Sequence, residues 1–227
     1  MPNVTYTPTL CVILKVRMVN QLIKNNVSVY EERLLKSFPS DLAADLKAVI
    51  SILPLNQNSI KLCDGNIPYI KDLINSESIN ILLNGENLLI PHRIYFDEPD
   101  VYFENQLNRK QKIILNCIYL RHHNGYIRES RLKDLNEANE YWSIPFTIQL
   151  LGEYVFEILE VLDKHINNDT LENYCKFIEE NPKYWKKTES RMISYWNEYY
   201  RYVFPKLKKY KGFELVKRIK TYRYHTV

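Results

Sequence analysis

Apolar residues recur at intervals of three or four over most of the second half of the chain, which places them on one face of an α-helix. This pattern predicts helices over residues 110–120 and 126–135. A further apolar face runs from Ile144 to Leu162, and Gly152 within it indicates a break or a kink. We therefore predict a mainly α fold, built as a compact multi-helical domain.

Proline and asparagine mark where the later helices begin and end. Asn181 and Pro182 are typical of the cap and first turn of a long helix, which we predict to continue to about Phe204. Pro205 ends this helix, because proline has no N–H to donate to the preceding turn. A last helix is predicted over residues 212–221.

The first part of the chain has a less regular pattern. A short helix closing at Phe38 is predicted, followed by a break at Pro39, with Ser40 as the N-cap of a second helix. Another short helix is predicted over residues 69–74. The apolar residues of 1–27 fit either a strand or a helix.

Residues 79–96 predict a small β-hairpin. The dipeptide Asn84-Gly85 separates two apolar runs, and this combination favours a two-residue turn because both residues tolerate positive φ. Pro91 cannot donate a hydrogen bond within a sheet, so we expect it at an edge or a bulge. A lone hairpin is barely stable in water, and we therefore expect it to pack against the helices.

The cysteines and the apolar segments predict a cytoplasmic protein without membrane contact. The four cysteines are far apart and form no CxxC pair, which favours free thiols in a reducing compartment. The apolar run 10–14 is shorter than the roughly 20 residues that a membrane span needs. No nucleotide-binding or calcium-binding motif is present, so no cofactor is predicted.

The end of the chain is strongly basic. Residues 183–227 contain 13 Lys or Arg and three Asp or Glu, a net charge of +10, whereas the whole chain carries +4 and residues 1–182 therefore −6. The same segment is rich in tyrosine and tryptophan. Basic residues interleaved with aromatic ones can bind nucleic acid through phosphate contacts and base stacking. The predicted polyanion contacts surround a helix break: Lys206, Lys208, Lys209 and Lys211.

A purely structural interpretation of this segment is also open. Trp185, Met192, Trp196, Tyr199 and Val203 recur at helical spacing and would form a packing stripe. The basic residues would then coat the opposite side or meet the acidic part of the same protein.

Charged and histidine side chains cluster between residues 121 and 129. His122 and His123 beside Glu129 suggest a metal site or a catalytic base. Consecutive histidines diverge on a regular backbone, however, and no HExxH or HxH spacing supports a ligand set, so no metal is predicted. Tyr126, Arg128 and Glu129 are predicted to form a buried polar cluster with Glu153, in which an arginine pairs with a carboxylate across two helices; this structural role is favoured over acid–base catalysis.

The string HHNGYIRESRLKDL, followed by SIPFTIQLLGEYVFEILEVL, resembles a HEAT-type α-helical repeat over residues 121–165. Glu157 and Ile158 depart from the family, whose repeats usually carry an arginine there, and no second copy occurs at a fixed period. The resemblance implies HEAT-like helix packing and a role as an interaction scaffold. The matching positions are Asn124, Gly125, Tyr126, Arg128 and Glu129, then Pro145, Leu150, Leu151, Glu153 and Val155.

These observations predict a helical region with the hairpin over residues 1–100 and a HEAT-like helical region over 101–227, or one continuous domain. The leading functional hypothesis is a non-enzymatic scaffold that binds a protein partner. The alternative is nucleic-acid or other polyanion binding through residues 183–227, and the third is an enzyme or metal site at the His122–His123 turn. The expected partner-contact residues are Arg121, His122, His123 and Tyr126.

Overall fold

The computed structural model describes residues 27–56, 72–135 and 137–226, with side chains up to residue 222. The chain is mainly α-helical and carries a two-stranded antiparallel sheet, which confirms the predicted fold class. The strands are β1 (Ser78–Leu83) and β2 (Glu86–Pro91). The helices are α1 (27–35), α2 (Ala43–Ile50), α3 (Val101–Asn105), α4 (Arg109–Tyr119), α5 (Gly125–Lys133), α6 (Ile144–Ile148), α7 (Phe156–His165), α8 (Leu171–Glu180), α9 (Pro182–Tyr195) and α10 (Lys211–Thr226).

The predicted hairpin is confirmed, and its turn has the backbone that the Asn-Gly pair favours. Asn84 and Gly85 have φ values of 49° and 85°, and Leu83 pairs with Glu86 across them. Regular pairing ends at Pro91, opposite Ser78. The β2 strand is therefore shorter than the apolar run predicts, because the chain beyond Pro91 forms only isolated bridges.

Two local predictions in the first part of the chain are wrong. Helix α2 begins at Ala43, with Leu42 at its cap, and Ser40 instead donates its N–H to the Glu86 carboxylate at 3.0 Å. The predicted helix 69–74 is contradicted at its described end, since Ile74 forms a β-bridge with the segment after β2. The predictions for residues 1–26, 57–71 and 136 lie outside the described residues.

The helices of the second half follow their predicted order. Gly152 lies at the end of a 3-10 turn (Gln149–Gly152), so the predicted break in the 144–162 face is confirmed. Helix α9 starts at Pro182 as predicted but becomes a π-helical turn over Trp196–Tyr200 before Phe204. The last helix, α10, is longer than predicted.

One hydrophobic cluster joins the hairpin to the helices. Leu34 of α1, Ile81 of β1 and Ile219 of α10 all belong to it, and each is at most 3% exposed. The described parts of the predicted regions 1–100 and 101–227 thus contribute to a shared core. The hairpin is held in this core and not left as a free element, as its low intrinsic stability requires.

Candidate anion-binding face on helix α9

A buried ion network lies where the end of the hairpin meets α5 and the turn before α7. Glu153 is 2% exposed, and both of its carboxylate oxygens accept a hydrogen bond from Nη2 of Arg93 at 2.9 Å. Nη2 of Arg128 lies 3.4 Å from Glu153 Oε2. Arg128 also donates to the carbonyls of His122 and His123, at 2.7 and 2.9 Å. Of the predicted buried cluster, the Arg128–Glu153 pair is confirmed, with Arg93 as an additional member. The prediction is wrong for Tyr126, which is 84% exposed, and for Glu129, which pairs with Lys133.

Arg121 adds a third guanidinium group to this network. It is 1% exposed and donates to the carbonyls of Pro91 at 3.3 Å and His92 at 2.7 Å, whereas its Nη1 atom has no hydrogen-bond partner. Three arginines thus surround one carboxylate, which leaves an excess of positive charge inside the protein. We call these residues the arginine network: Arg93, Arg121, Arg128 and Glu153.

The protonation states follow from burial and from the neighbouring charges. Burial by itself raises the pKa of Glu153, but the charges of Arg93, Arg128 and Arg121 outweigh it and lower the pKa below the ordinary value. Burial, together with the charge of Arg93, lowers the pKa of Arg121 to about 9. Both groups are therefore charged at pH 7, and the excess positive charge persists.

A cleft of about 290 Å³ opens to solvent beside this network, between α9 and the outer edge of β1. Lys183, Lys187 and Arg191 follow each other at intervals of four along α9, so they lie on one face of the helix. None of the three has a carboxylate partner among the described residues. The residues that line the β1–α9 cleft are Ser78, Ile79, Asn80, His92, Lys183, Tyr184, Lys187, Thr188 and Arg191, without a carboxylate among them.

The hairpin side of the cleft is a partly free sheet edge. The N–H and the carbonyl of Leu82 point away from β2, and both bind the side chain of Asn181 at the start of α9. Backbone direction alternates along a strand, so the N–H and carbonyl of Asn80 point the same way, into the cleft wall. The side chain of Asn80 is itself exposed.

His92 connects the cleft to the arginine network. Its carbonyl accepts from Arg121, and its ring lines the cleft. Burial lowers the pKa of His92, and the charges of Arg121, Arg191 and Lys187 lower it further, against a smaller opposing effect from Glu77. His92 is therefore neutral at pH 7, mainly because of its burial and secondarily because of the nearby cations.

Helix α9 packs against the residue that precedes the buried carboxylate. A Cβ atom on Gly152 would lie 3.4 Å from Cβ of Arg191, so Arg191 packs directly over the residue before Glu153. The cleft and the arginine network therefore lie on opposite sides of this contact. Arg191 lines the cleft, and Glu153 is buried in the network.

Three tyrosines lie beyond Arg191: Tyr195 ends α9, Tyr199 is in the π-helical turn, and Tyr154 packs against both. Tyr154, Tyr195 and Tyr199 have ring centroids 5.9–6.0 Å apart in each of their three pairs. Tyr154 is 50% exposed and Tyr199 57% exposed. We call this group the tyrosine triad. Together with the three cations it forms what we call the α9 face: Lys183, Lys187, Arg191, Tyr195, Tyr199 and the adjacent Tyr154.

The tyrosine triad rests on a second, inner aromatic layer. Tyr200 stacks on Tyr210 with centroids 5.4 Å apart, and Phe156 stacks on Phe204 at 5.4 Å. Tyr200 also donates its hydroxyl to the carbonyl of Tyr154. These contacts hold the π-helical turn Trp196–Tyr200 against the body of the protein. The outer rings are thereby presented on a fixed support and not on a mobile loop.

The four lysines predicted as polyanion contacts lie elsewhere on the surface of the basic segment. Lys206, Lys208 and Lys209 are exposed. Lys211 is only partly exposed and pairs with Asp163 at 3.0 Å and Glu214 at 3.5 Å. Part of the basic charge thus meets acidic residues of the same chain, as one interpretation anticipated, whereas the α9 cations do not.

The predicted partner-contact residues separate into a buried and an accessible pair. Arg121 and His122 are 1% and 3% exposed, and Arg121 lies in the arginine network. His123 is half-buried and stacks on Tyr95 with a centroid distance of 5.5 Å. Tyr126 is 84% exposed. Only His123 and Tyr126 are therefore placed to contact a partner directly.

The His122 ring is committed to structural hydrogen bonds. His122 Nδ1 accepts from the Asn124 N–H at 3.1 Å, and its Nε2 lies 3.2 Å from the Phe96 carbonyl. Glu129 pairs with Lys133 at 2.6 Å. Over the described ranges, no three His, Cys, Asp or Glu side chains are grouped to hold a metal ion.

Sequence reasoning located the basic segment but not the residues that meet in the cleft. The spacing of Lys183, Lys187 and Arg191 was a usable signal, since intervals of four place side chains on one helix face. Arg93, Arg121 and His92 carry no such signal, because the hairpin brings them to α9 only in the folded chain.

No protein-family model, no curated protein and no solved structure matches this chain. The HEAT-like resemblance over residues 121–165 therefore stays a prediction. No described helix combines the length and the apolar character that a membrane span requires.

Proposed function

We propose that the protein binds single-stranded nucleic acid along the α9 face. The observation that carries this proposal is that three cations without carboxylate partners follow one another along α9 and that the tyrosine triad lies just beyond them. Phosphate groups need cations that are not already paired, and unpaired bases need exposed aromatic rings. The α9 face offers both in series, on a rigid helix.

The dimensions and the charges support a short single strand. From residue 183 to residue 199 a helix rises about 24 Å, a length that accommodates a few nucleotides. Stacking on Tyr154 and Tyr199 requires bases that are not paired, which favours a single strand over a duplex. The phosphates would lie on Lys183, Lys187 and Arg191, and the first unstacked bases on the tyrosine triad.

Negative charge limits the path at the far end. Beside Tyr154 lies a second cavity of about 310 Å³, which Tyr126, Glu129 and Glu157 also line. A nucleic-acid strand would be repelled by these carboxylates. The proposed path therefore runs from the cleft to Tyr199 and does not reach Tyr126.

The test is fluorescence anisotropy with a labelled oligonucleotide of about 12 nucleotides, as RNA and as DNA, titrated at several salt concentrations. Three phosphate contacts predict a slope of about −2 in log K against log salt, since each contributes about −0.7 for a single strand. The double variant Lys183→Ala, Lys187→Ala should reduce this slope to about −0.7. The matched control, Lys208→Ala with Lys209→Ala, should leave the slope unchanged.

The aromatic part of the face is tested separately. Tyr199→Ala should weaken binding by about 1–3 kcal/mol, the value for one stacked base, whereas Tyr126→Ala should have no effect. Absence of binding at low salt would refute the proposal. A loss in the Lys208, Lys209 variant without one in the Lys183, Lys187 variant would move the contact surface to the lysines predicted from sequence.

A protein-binding role has a specific observation of its own. Tyr126 is 84% exposed, Tyr202 97% and Val203 64%, so these side chains are available to a protein partner. Quantitative affinity purification with the wild-type chain and with Tyr126→Ser tests this second candidate. A partner recovered in equal amounts with both would exclude Tyr126 as the contact.

A further inference from the structure

We propose that the β1–α9 cleft binds the terminal phosphate group of a nucleic-acid strand. This inference rests on the proposed function, because it names the group that the first part of the α9 face would hold. Terminal phosphate here means a phosphomonoester at one end of the strand, as distinct from the phosphodiesters within it.

The side chains that line the cleft are suited to an anion. Lys183, Lys187 and Arg191 supply charged donors, and no carboxylate lies among the described residues that line the cleft. The N–H of Asn80 adds a neutral donor from the sheet edge. Charge-assisted hydrogen bonds from ammonium and guanidinium groups to phosphate oxygens are among the strongest in proteins.

The charge of the arginine network also favours an anion. Arg121 donates to the carbonyl of His92, a residue that lines the cleft, and its Nη1 atom has no partner although the side chain is 1% exposed. A buried donor without a partner is costly, and an anion close by would offset part of that cost. The arginine network therefore favours a ligand with more than one negative charge.

Charge distinguishes a terminal phosphate from a phosphate within the strand. A phosphomonoester carries a charge of about −1.5 to −2 at pH 7, whereas a phosphodiester within a strand carries a single charge. The cleft is also closed along β1, because Asn181 occupies both backbone groups of Leu82. A strand that enters from the tyrosine triad thus ends at the cleft.

The volume of the cleft limits the size of its occupant. The cleft volume of about 290 Å³ lies at the lower end of the range for small-molecule sites, roughly 300–1,000 Å³. A phosphate with its attached sugar is a suitable occupant, whereas several stacked nucleotides are not.

The experiment compares one oligonucleotide sequence in three forms: with a 5′-phosphate, with a 3′-phosphate and with neither. We expect one phosphorylated form to bind about tenfold more tightly than the form without phosphate, which corresponds to about 1.4 kcal/mol. Inorganic phosphate should abolish this preference when it is compared with chloride at equal ionic strength. That competition also shows whether the free anion occupies the same place.

Matched variants on the hairpin locate the effect. Asn80→Asp puts a carboxylate into the cleft and should abolish the preference. Asn87→Asp makes the same change at an exposed position of β2 outside the cleft, and should retain it. Lys187→Gln should reduce the preference, whereas Lys208→Gln should not.

The outcomes separate this inference from the function on which it rests. Equal affinity for all three oligonucleotides refutes the terminal-phosphate site and leaves nucleic-acid binding standing. A preference that survives in Asn80→Asp also refutes it. If no oligonucleotide binds, both proposals are overturned.

Discussion

Asn181 binds both backbone groups of Leu82: its Oδ1 atom accepts from the Leu82 N–H at 2.8 Å, and its Nδ2 atom donates to the Leu82 carbonyl at 2.7 Å. One side chain thus takes the place of a neighbouring strand at the edge of β1. The same Nδ2 atom donates to the carbonyl of Phe177 at 3.1 Å, so the α8–α9 junction and the hairpin are joined at this residue. These hydrogen bonds hold the start of α9 against β1 and so set the width of the β1–α9 cleft.

Replacing Asn181 should therefore weaken both the fold and the binding face. Asn181→Ala leaves two backbone groups of Leu82 without partners, and we expect a loss of about 1–3 kcal/mol in the free energy of unfolding. Urea unfolding measures it. Asn173→Ala, which removes exposed hydrogen bonds to Asn139, is the control and should cost less than 1 kcal/mol. Equal losses in both variants would contradict the proposed role of Asn181 in holding β1 against the α8–α9 junction.

Gly212 at the start of α10 should not tolerate a larger side chain. A Cβ atom there would lie 2.8 Å from Cε1 of Tyr210 and 2.9 Å from Cγ of Met192, both of which are buried. Gly212→Ala should therefore destabilise the protein by about 1–3 kcal/mol through overpacking. Gly152→Ala is the matched variant and should cost less, because its nearest contact is 3.4 Å. Thermal unfolding of the two variants decides the order.

Glu153 should be far more important for stability than an exposed glutamate. Glu153→Gln leaves the buried guanidinium group of Arg128 and the half-buried one of Arg93 without their counter-charge, and we expect a loss of about 3–5 kcal/mol. Glu129→Gln removes the exposed pair with Lys133 and should cost about 0.5 kcal/mol. Similar losses in the two variants would contradict the buried network.

The lowered pKa of Glu153 also predicts a pH dependence. A carboxyl group with a lower pKa in the folded state binds fewer protons there than in the unfolded state, so it stabilises the fold above its ordinary pKa of about 4.5. This stabilisation is lost as the pH falls from about 4.5 through the pKa of the folded state. The stability difference between wild type and Glu153→Gln should therefore shrink below pH 4.5 in urea unfolding.

His165 predicts a second pH dependence in a separate window. Its Nδ1 atom and the hydroxyls of Tyr174 and Thr147 form a chain that ends on the carbonyl of Ile144, over 3.0, 2.8 and 3.1 Å. Since each hydroxyl donates onward, Nδ1 of His165 is the donor. Burial lowers its pKa to about 4, from an ordinary value of 6.5.

The unfolded state consequently binds the proton of His165 more tightly than the folded state does. Stability should fall as the pH decreases from 6.5 to 4, by about 3 kcal/mol for this group. His165→Asn keeps a donor near the Nδ1 position and should flatten the dependence in this window. His123→Asn, at a half-buried ring, should flatten it less. An unchanged dependence in His165→Asn would show that the imidazole is not responsible.

Local sequence rules determined the elements of this fold. The hairpin turn follows from Asn84-Gly85 alone, because few other residue pairs adopt positive φ twice in succession. The start of α9 follows from Pro182, and the break in the 144–162 face follows from Gly152. The net charge of residues 183–227 could likewise be read without a structure. Each of these depends on neighbours within a few positions.

Tertiary structure alone decided which side chains meet. Arg121 and His122 are polar residues of a short turn, which sequence reasoning places on the surface. They are buried because Ile94 bridges to His122 and the hairpin covers the turn. Lys183, Lys187 and Arg191 are evenly spaced in the sequence. They face His92 and Asn80 only because Asn181 docks on Leu82. Contacts such as that between Leu82 and Asn181, which are 99 positions apart, depend on packing, which no local pattern encodes.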